Sequence, residues 1–166
     1  MKLERRRPSG FSLVEVTLAL GVAAFCLVTI FALLSTSFRT NQITTQQTAD
    51  TTLARAIAAD LQATSKTASD SPRYGITFPA TGTASHTIFL REDGTAAGAQ
   101  DSDADPSQNP RYRATITFNA PANTSQKTAT GIRIRLTWPA LADKSAAATP
   151  TNYAGAYEVF TAVNRN

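Results

Sequence analysis

Few residues in this 166-residue chain can do chemistry, and their types and spacing narrow the options quickly. A single cysteine, Cys26, has no partner for an internal bridge, and a single histidine, His86, cannot supply the ligand clusters of zinc, haem or iron–sulfur sites. His86 has no nucleophile or orienting acid at a suggestive spacing, and no phosphate-binding glycine loop is present. The chain therefore reads as a non-enzyme, with His86 a strand-edge residue. Asp101, Asp103 and Asp105 repeat the first three acidic spacings of a calcium loop. Pro106 then stands where an EF-hand requires glycine, and Tyr112 where it requires the bidentate glutamate. That excludes an EF-hand and leaves an irregular calcium site as the one cofactor to consider, against the simpler reading of a solvated acidic loop.

Glu15 is the more informative carboxylate. It lies within 24 residues, Phe11 to Leu34, whose only other ionisable group is the thiol of Cys26. As a helix this run is about 36 Å long, enough to cross a bilayer core of roughly 30 Å. A carboxylate placed centrally in such a span costs about 2.5 to 3.5 kcal/mol on insertion scales, and less near the interface. Two readings follow: Glu15 sits hydrated at headgroup level in the first helical turn, where its charge suits the helix dipole, or it has a partner of opposite charge.

The charge distribution orients the span. The net charge is +4, but Lys2, Arg5, Arg6 and Arg7 against Glu4 place +3 of it in residues 1–10 and leave the rest of the chain at +1. Arg39 is the first charge after the span, so the positive-inside bias puts the leader in the cytoplasm and everything beyond Arg39 outside. A cleaved secretory signal fits poorly, because Val16 to Leu34 gives 19 uncharged residues where such an apolar region has about 7 to 15. Four further arginines, Arg111, Arg113, Arg133 and Arg135, fall on the polar faces of two expected strands. With no aromatic residues interleaved on that face, a solvated or subunit-facing surface is the expectation and nucleic acid is not expected as a partner.

The elements that position these groups follow from periodicity. Beyond Arg39, Leu53, Ile57 and Leu61 recur every four residues, widened by Ala49, Ala54 and Ala58, which predicts an amphipathic helical continuation over 39–71. Five threonines between 44 and 52 weaken its intrinsic propensity, so packing must hold it. Short β-branched and aromatic runs at 74–78, 87–91, 111–118, 131–138 and 157–163 predict strands. Alternation in 111–118 and 131–138 predicts a sheet with one buried face, and the Leu53, Ile57, Leu61 stripe is its natural cover. The loops near 92–110 and 144–150, rich in Gly, Ala, Ser, Asp and Pro, are expected to be exposed and mobile. The expected fold is thus α+β, a long N-terminal helix packed on a small antiparallel sheet.

The residues RRRPSG-FSLVEVTLAL resemble the processing site of type IV prepilins and of type II secretion pseudopilins. In that family a short basic leader ends in glycine, a membrane aspartyl peptidase cuts after it, the new N-terminal phenylalanine is N-methylated, and a glutamate lies at the fifth mature position. The resemblance assigns these places to Gly10, Phe11 and Glu15. It implies that Glu15 pairs with the N-terminal amine of a neighbouring subunit, so that neither charge is buried alone. The longer run FSLVEVTLALGVAAFCLV resembles minor pseudopilins, in particular the Verru_Chthon cassette B group, more than major pilins. A helix-kinking proline is absent from the span, as is a C-terminal cysteine pair.

The resemblance therefore implies a leader at 1–10, a membrane and assembly helix at 11–38, an amphipathic half at 39–71 and a β head at 72–166. The expected partners are the prepilin peptidase, other pilin-like subunits and the inner membrane, with the head outside the cytoplasm. The alternative is a single-pass anchored binding protein that never polymerises.

Overall fold

A computed structural model describes residues 10–123, 125–146 and 149–165. Of the 1–10 leader only Gly10 falls within that range, and residues 147–148 of the 144–150 loop lie outside the described residues. The chain is α+β, with one long helix, α1 (Leu13–Ala63), and a four-stranded antiparallel sheet. It divides into two units, 1–46 and 47–166.

In the first unit, the helix opens where the Ser12 carbonyl accepts the Val16 N–H at 3.2 Å. From Leu13 to Phe38 it is long and apolar enough to cross a membrane, and among the described residues none of the side chains in its apolar window is buried. Further along, Thr36, Thr40 and Thr44 each return their hydroxyl to the carbonyl four residues back. That bond satisfies the hydroxyl without leaving the helix.

The second unit begins within α1 and contains the head. Here Leu53, Ala54, Ile57 and Leu61 are buried, with Ile57 wholly inaccessible. The helix stops at Ala63, short of the expected limit at 71. The reason is Asp60, whose carboxylate accepts the N–H groups of Arg73 and Tyr74 at 3.0 and 3.1 Å while its carbonyl takes the Thr64 hydroxyl. The chain is thereby drawn back toward the helix it has just left, and the Thr/Ser-rich stretch after it has little propensity to resist.

Residues 74–78 do not form the expected strand. They belong to a tight excursion closed by Ser71 N–H to Ile76 O and Phe78 N–H to Ser69 O, with a lone bridge between Asp70 and Thr77. Gly75 turns it at φ +63°, and Pro79 follows at once, so no ladder can extend. Its Tyr74, Ile76 and Phe78 side chains still enter the core.

The sheet is a meander of β1 (Thr83–Leu90), β2 (Tyr112–Asn119), β3 (Thr130–Trp138) and β4 (Gly155–Val163), in that spatial order. Its register aligns Ile88, Ala114 and Leu136 in one row and His86, Ile116, Ile134 and Val159 in the next. These rows and the Phe118–Ile132 pair line the face that meets Leu53, Ile57 and Leu61 in one apolar cluster. From that face, Gln62 reaches across to the Thr161 hydroxyl at 2.8 Å.

The opposite face is half covered, by the segment expected to be mobile. Residues 92–110 fold back over one end of it, where Ala97 and Ala104, with Ala140, pack on Phe89. The small side chains that resembled a disordered composition are what let the backbone lie flat on the sheet. Acidic residues then fix its turns: Asp93 accepts the Thr95 N–H and Asp105 caps the 3-10 turn Pro106–Gln108 through the Ser107 N–H. Arg91 ties the two ends together through Gln108 O and Ala96 O. At its tip Gly94, at φ +79°, accepts the Tyr74 hydroxyl.

Truncating Ile57 to Ala removes a side chain from the centre of the apolar cluster and costs on the order of 2 to 5 kcal/mol. Phe160→Ala, on the uncovered part of the sheet, changes stability by about 0.5 kcal/mol or less. Urea unfolding of the detergent-solubilised chain checks both, and equal losses would mean that Ile57 is not a core residue.

Candidate functional site

Gly10, Phe11 and Ser12 precede the first helical turn in non-helical backbone, and Glu15 lies within that turn. Gly10 has no heavy atom within 4 Å of where a side chain would start. Phe11 is 83% exposed. Among the described residues nothing crowds the junction between them.

Glu15, Ala19 and Ala23 recur every four residues and fall on one stripe of the helix, with Phe11 just before its first turn. Together with Val16 and Leu20 they line a shallow apolar groove. The small Ala19 and Ala23 leave the carboxylate standing beside a concave strip rather than under a neighbour. Around the rest of the helix, Leu13, Leu18, Leu20, Phe25, Phe31 and Leu33 are likewise exposed. A helix apolar on every side finds its cover in lipid or in other helices, and this one carries a single carboxylate into that cover.

The other sequence candidates are dispersed. Asp101, Asp103 and Asp105 do not converge: among the described residues no three His, Cys, Asp or Glu side chains could hold a metal ion. Each carboxylate is turned to a different backbone group. Asp101 takes the Thr87 N–H at 2.7 Å, Asp103 the Ala146 N–H at 2.8 Å, and Asp105 the Ser107 N–H at 2.8 Å. The three carboxylates thus serve as separate loop anchors, and the acidic loop is not simply solvated.

Asp101 does more than hold a strand. Its second oxygen lies 2.7 Å from His86 Nδ1 and accepts from Gln100 Nε2. Gln100 is itself oriented by the Thr77 N–H, which donates to its Oε1. Burial opposes the Asp101 charge, but the Thr87 N–H, His86 and Gln100 outweigh it and hold the carboxyl below the usual carboxylate range. The residue adopts φ +57° to do this, a left-handed conformation that aspartate tolerates better than most. Sequence spacing had shown no acid for His86 because the two residues meet across a turn. His86 does lie on an edge strand.

Arg113 departs most from expectation. It is 1% exposed, beneath the 92–110 segment, and its guanidinium meets Asp143 Oδ2 at 2.8 Å. The Thr151 N–H, then the Arg113 charge and the Thr151 hydroxyl, keep the Asp143 carboxyl below the ordinary range against the effect of burial. Arg133 and Arg135 remain at the surface and share Glu158, at 3.5 and 3.2 Å. No two arginines face each other even though β2 and β3 are neighbours. Their cross-strand partners are threonines: Thr137 for Arg113, Thr117 for Arg133 and Thr115 for Arg135.

No family model matches the chain, and no curated protein or solved structure is similar to it.

The Arg113–Asp143 pair makes the head acid-sensitive. A carboxyl whose folded pKa is depressed contributes stability that is complete above its unfolded value of about 3.9 and is lost as pH falls through the folded value. Urea midpoints at pH 7 and pH 3 will show a fall in the wild type and a smaller fall in Asp143→Asn, with Asp101 accounting for part of the remainder. At pH 7, Asp143→Ala costs on the order of 3 kcal/mol by leaving Arg113 buried without its counter-charge. A variant with an unchanged acid-side fall would show that the pair adds nothing to folding.

Proposed function

We propose that this chain is a non-enzymatic pilin-like subunit, a minor pseudopilin in character, cut after Gly10, N-methylated on Phe11, and assembled through its N-terminal helix into a type IV pilus or a type II secretion pseudopilus. The observation that carries the reading is Glu15, a lone carboxylate in the first turn of a helix whose apolar stretch is exposed among the described residues. An open Gly10–Phe11 junction directly before it supports the processing step. A long helix packed on a four-stranded antiparallel sheet, reached from periodicity independently of the leader, is compatible with the pilin architecture.

The physical sequence of events is simple. While the +3 leader is attached, its charges hold the N-terminus on the cytoplasmic side of the inner membrane and the head outside. Cleavage removes them and creates an α-amine at Phe11. A neighbouring subunit's Glu15 can then meet that amine, and the pair leaves lipid together at far lower cost than either charge alone. The partners on this reading are the prepilin peptidase, the inner membrane and other pilin-like subunits.

Mass spectrometry of the mature chain should find N-methyl-Phe11 as the first residue, and Gly10→Val should leave the leader attached. A mature N-terminus further along the chain, or an intact leader in cells that hold the peptidase, would overturn the reading. Glu15→Leu should be cut and folded normally yet drop at least tenfold in crosslinking to other pilin-like subunits. Equal incorporation of variant and wild type would favour an anchored protein that does not polymerise, or a subunit seated without a neighbour above it.

A further inference from the structure

The two edges of the sheet are finished differently. Along β1 the chain's own 92–110 segment occupies the outer edge: the Asp101 N–H donates to Thr87 O at 2.8 Å, the Ala97 N–H donates to Phe89 O at 2.7 Å, and Ala96 bridges Leu90. Along β4 nothing comparable is present. Among the described residues, no backbone group of Gly155–Val163 makes a hydrogen bond except within the ladder to β3. The strand also has few of the devices that keep an edge from pairing, and its one charge, Glu158, is held by two arginines of β3. Its register with β3 runs without a bulge from Thr130–Val163 to Trp138–Gly155, and it contains no proline and no lysine.

The side chains along this edge are those of a strand expecting a neighbour. Phe160 is 74% exposed on one face, while Tyr157 and Val159 are half-buried at the rim of the core on the other. Beside Phe160 a shallow groove is lined by Thr117, Asn119, Gly131 and Arg133. Gly131 keeps it open, since a side chain there would touch only Asn119 Cβ. The local charge is unequal, two guanidiniums, Arg133 and Arg135, to one carboxylate, Glu158, and Arg133 is the more exposed of the two.

We propose that β4 is a docking edge for an extended segment of another polypeptide, which adds as a fifth strand and carries a glutamate that reaches Arg133. An added strand lies two inter-strand spacings of about 4.8 Å from β3, within the combined reach of an arginine and a glutamate passing over the Phe160 ring. Backbone pairing supplies the affinity, and the carboxylate with its apolar neighbours supplies the selectivity. A second copy of this chain fits less well. Its own β4 brings a Glu158 already held by two arginines, and its β1 edge is closed from Thr87 to Leu90. The proposal uses no residue of the Gly10–Glu15 segment and holds whether or not the N-terminus is processed.

The test uses the full chain in detergent micelles and a fluorescein-labelled ten-residue probe of alternating valine and threonine with one central glutamate, read by anisotropy and by amide hydrogen exchange. The glutamate probe should bind at least tenfold tighter than its lysine counterpart and slow exchange in β4 while leaving β1 unchanged. Arg133→Glu should reverse the preference. Arg133→Gln should abolish it with no change in unfolding midpoint, which separates lost recognition from lost folding. Equal affinity for the two probes, no binding up to millimolar probe, or protection outside β4 would overturn the proposal. So would concentration-dependent dimers whose β4 amides are protected without probe, because a second copy would then hold the edge.

Discussion

The head depends on covering one face of a twisted four-stranded sheet with two turns of helix. Strand alternation and helical periodicity have to agree for this to work: the sheet presents Ile88, Ile116, Ile134 and Leu136 on one side only, and α1 answers with Leu53, Ile57 and Leu61 at intervals of four. Slipping β2 or β3 by one residue would turn its apolar set away from the helix and bring arginines and threonines in. Each large side chain that leaves water contributes about 1.5 to 3 kcal/mol, which outweighs the poor helix propensity of the threonines preceding Leu53. The return of the chain at Asp60 and the tight excursion through Tyr74, Ile76 and Phe78 complete the same cluster from its side.

The first unit shows the same physics on a helix whose apolar surface is exposed among the described residues. From Leu13 to Phe38 the helix is long and apolar enough to span a membrane, and no described side chain of that apolar window is buried, so its stability belongs to whatever surrounds it. Within such a surface a lone carboxylate is the one group that can distinguish a fluid lipid environment from a neighbouring protein with a matching charge. The proposed assembly role thus rests on a carboxylate with no counter-charge beside it among the described residues, rather than on any contact within them.

Much of this was legible in the sequence, and what was not shares a cause. Apolar periodicity over 53–61, 111–118 and 131–138 anticipated the helix face and the central strands, because alternation reports burial directly. Chain-distant pairings were invisible. Nothing in the spacing of Arg113 and Asp143 joins them, nor His86 to Asp101, and both pairs form only because loops fold back on the sheet. At 92–110 composition anticipated the exposure that most of the segment has, but not that its alanines pack on Phe89 and its aspartates anchor turns. The 74–78 run has strand-like residues, yet Gly75 and Pro79 set its backbone and leave only its side chains to the core.

Gly94 carries a consequence for how this protein can change. At φ +79° it would strain any other residue, and a Cβ there would lie 2.7 Å from Leu53 Cδ2 on the buried side of α1. The tip of a segment with the composition of a permissive surface loop is therefore a contact point of the core. Insertions and drift that surface loops ordinarily absorb are excluded from it, since a single methyl group would push on the helix stripe itself. Tolerance lies instead in the connection between β2 and β3, where residues 125–129 are all exposed. Relatives of this chain should vary in length there while keeping 92–110 unchanged in length.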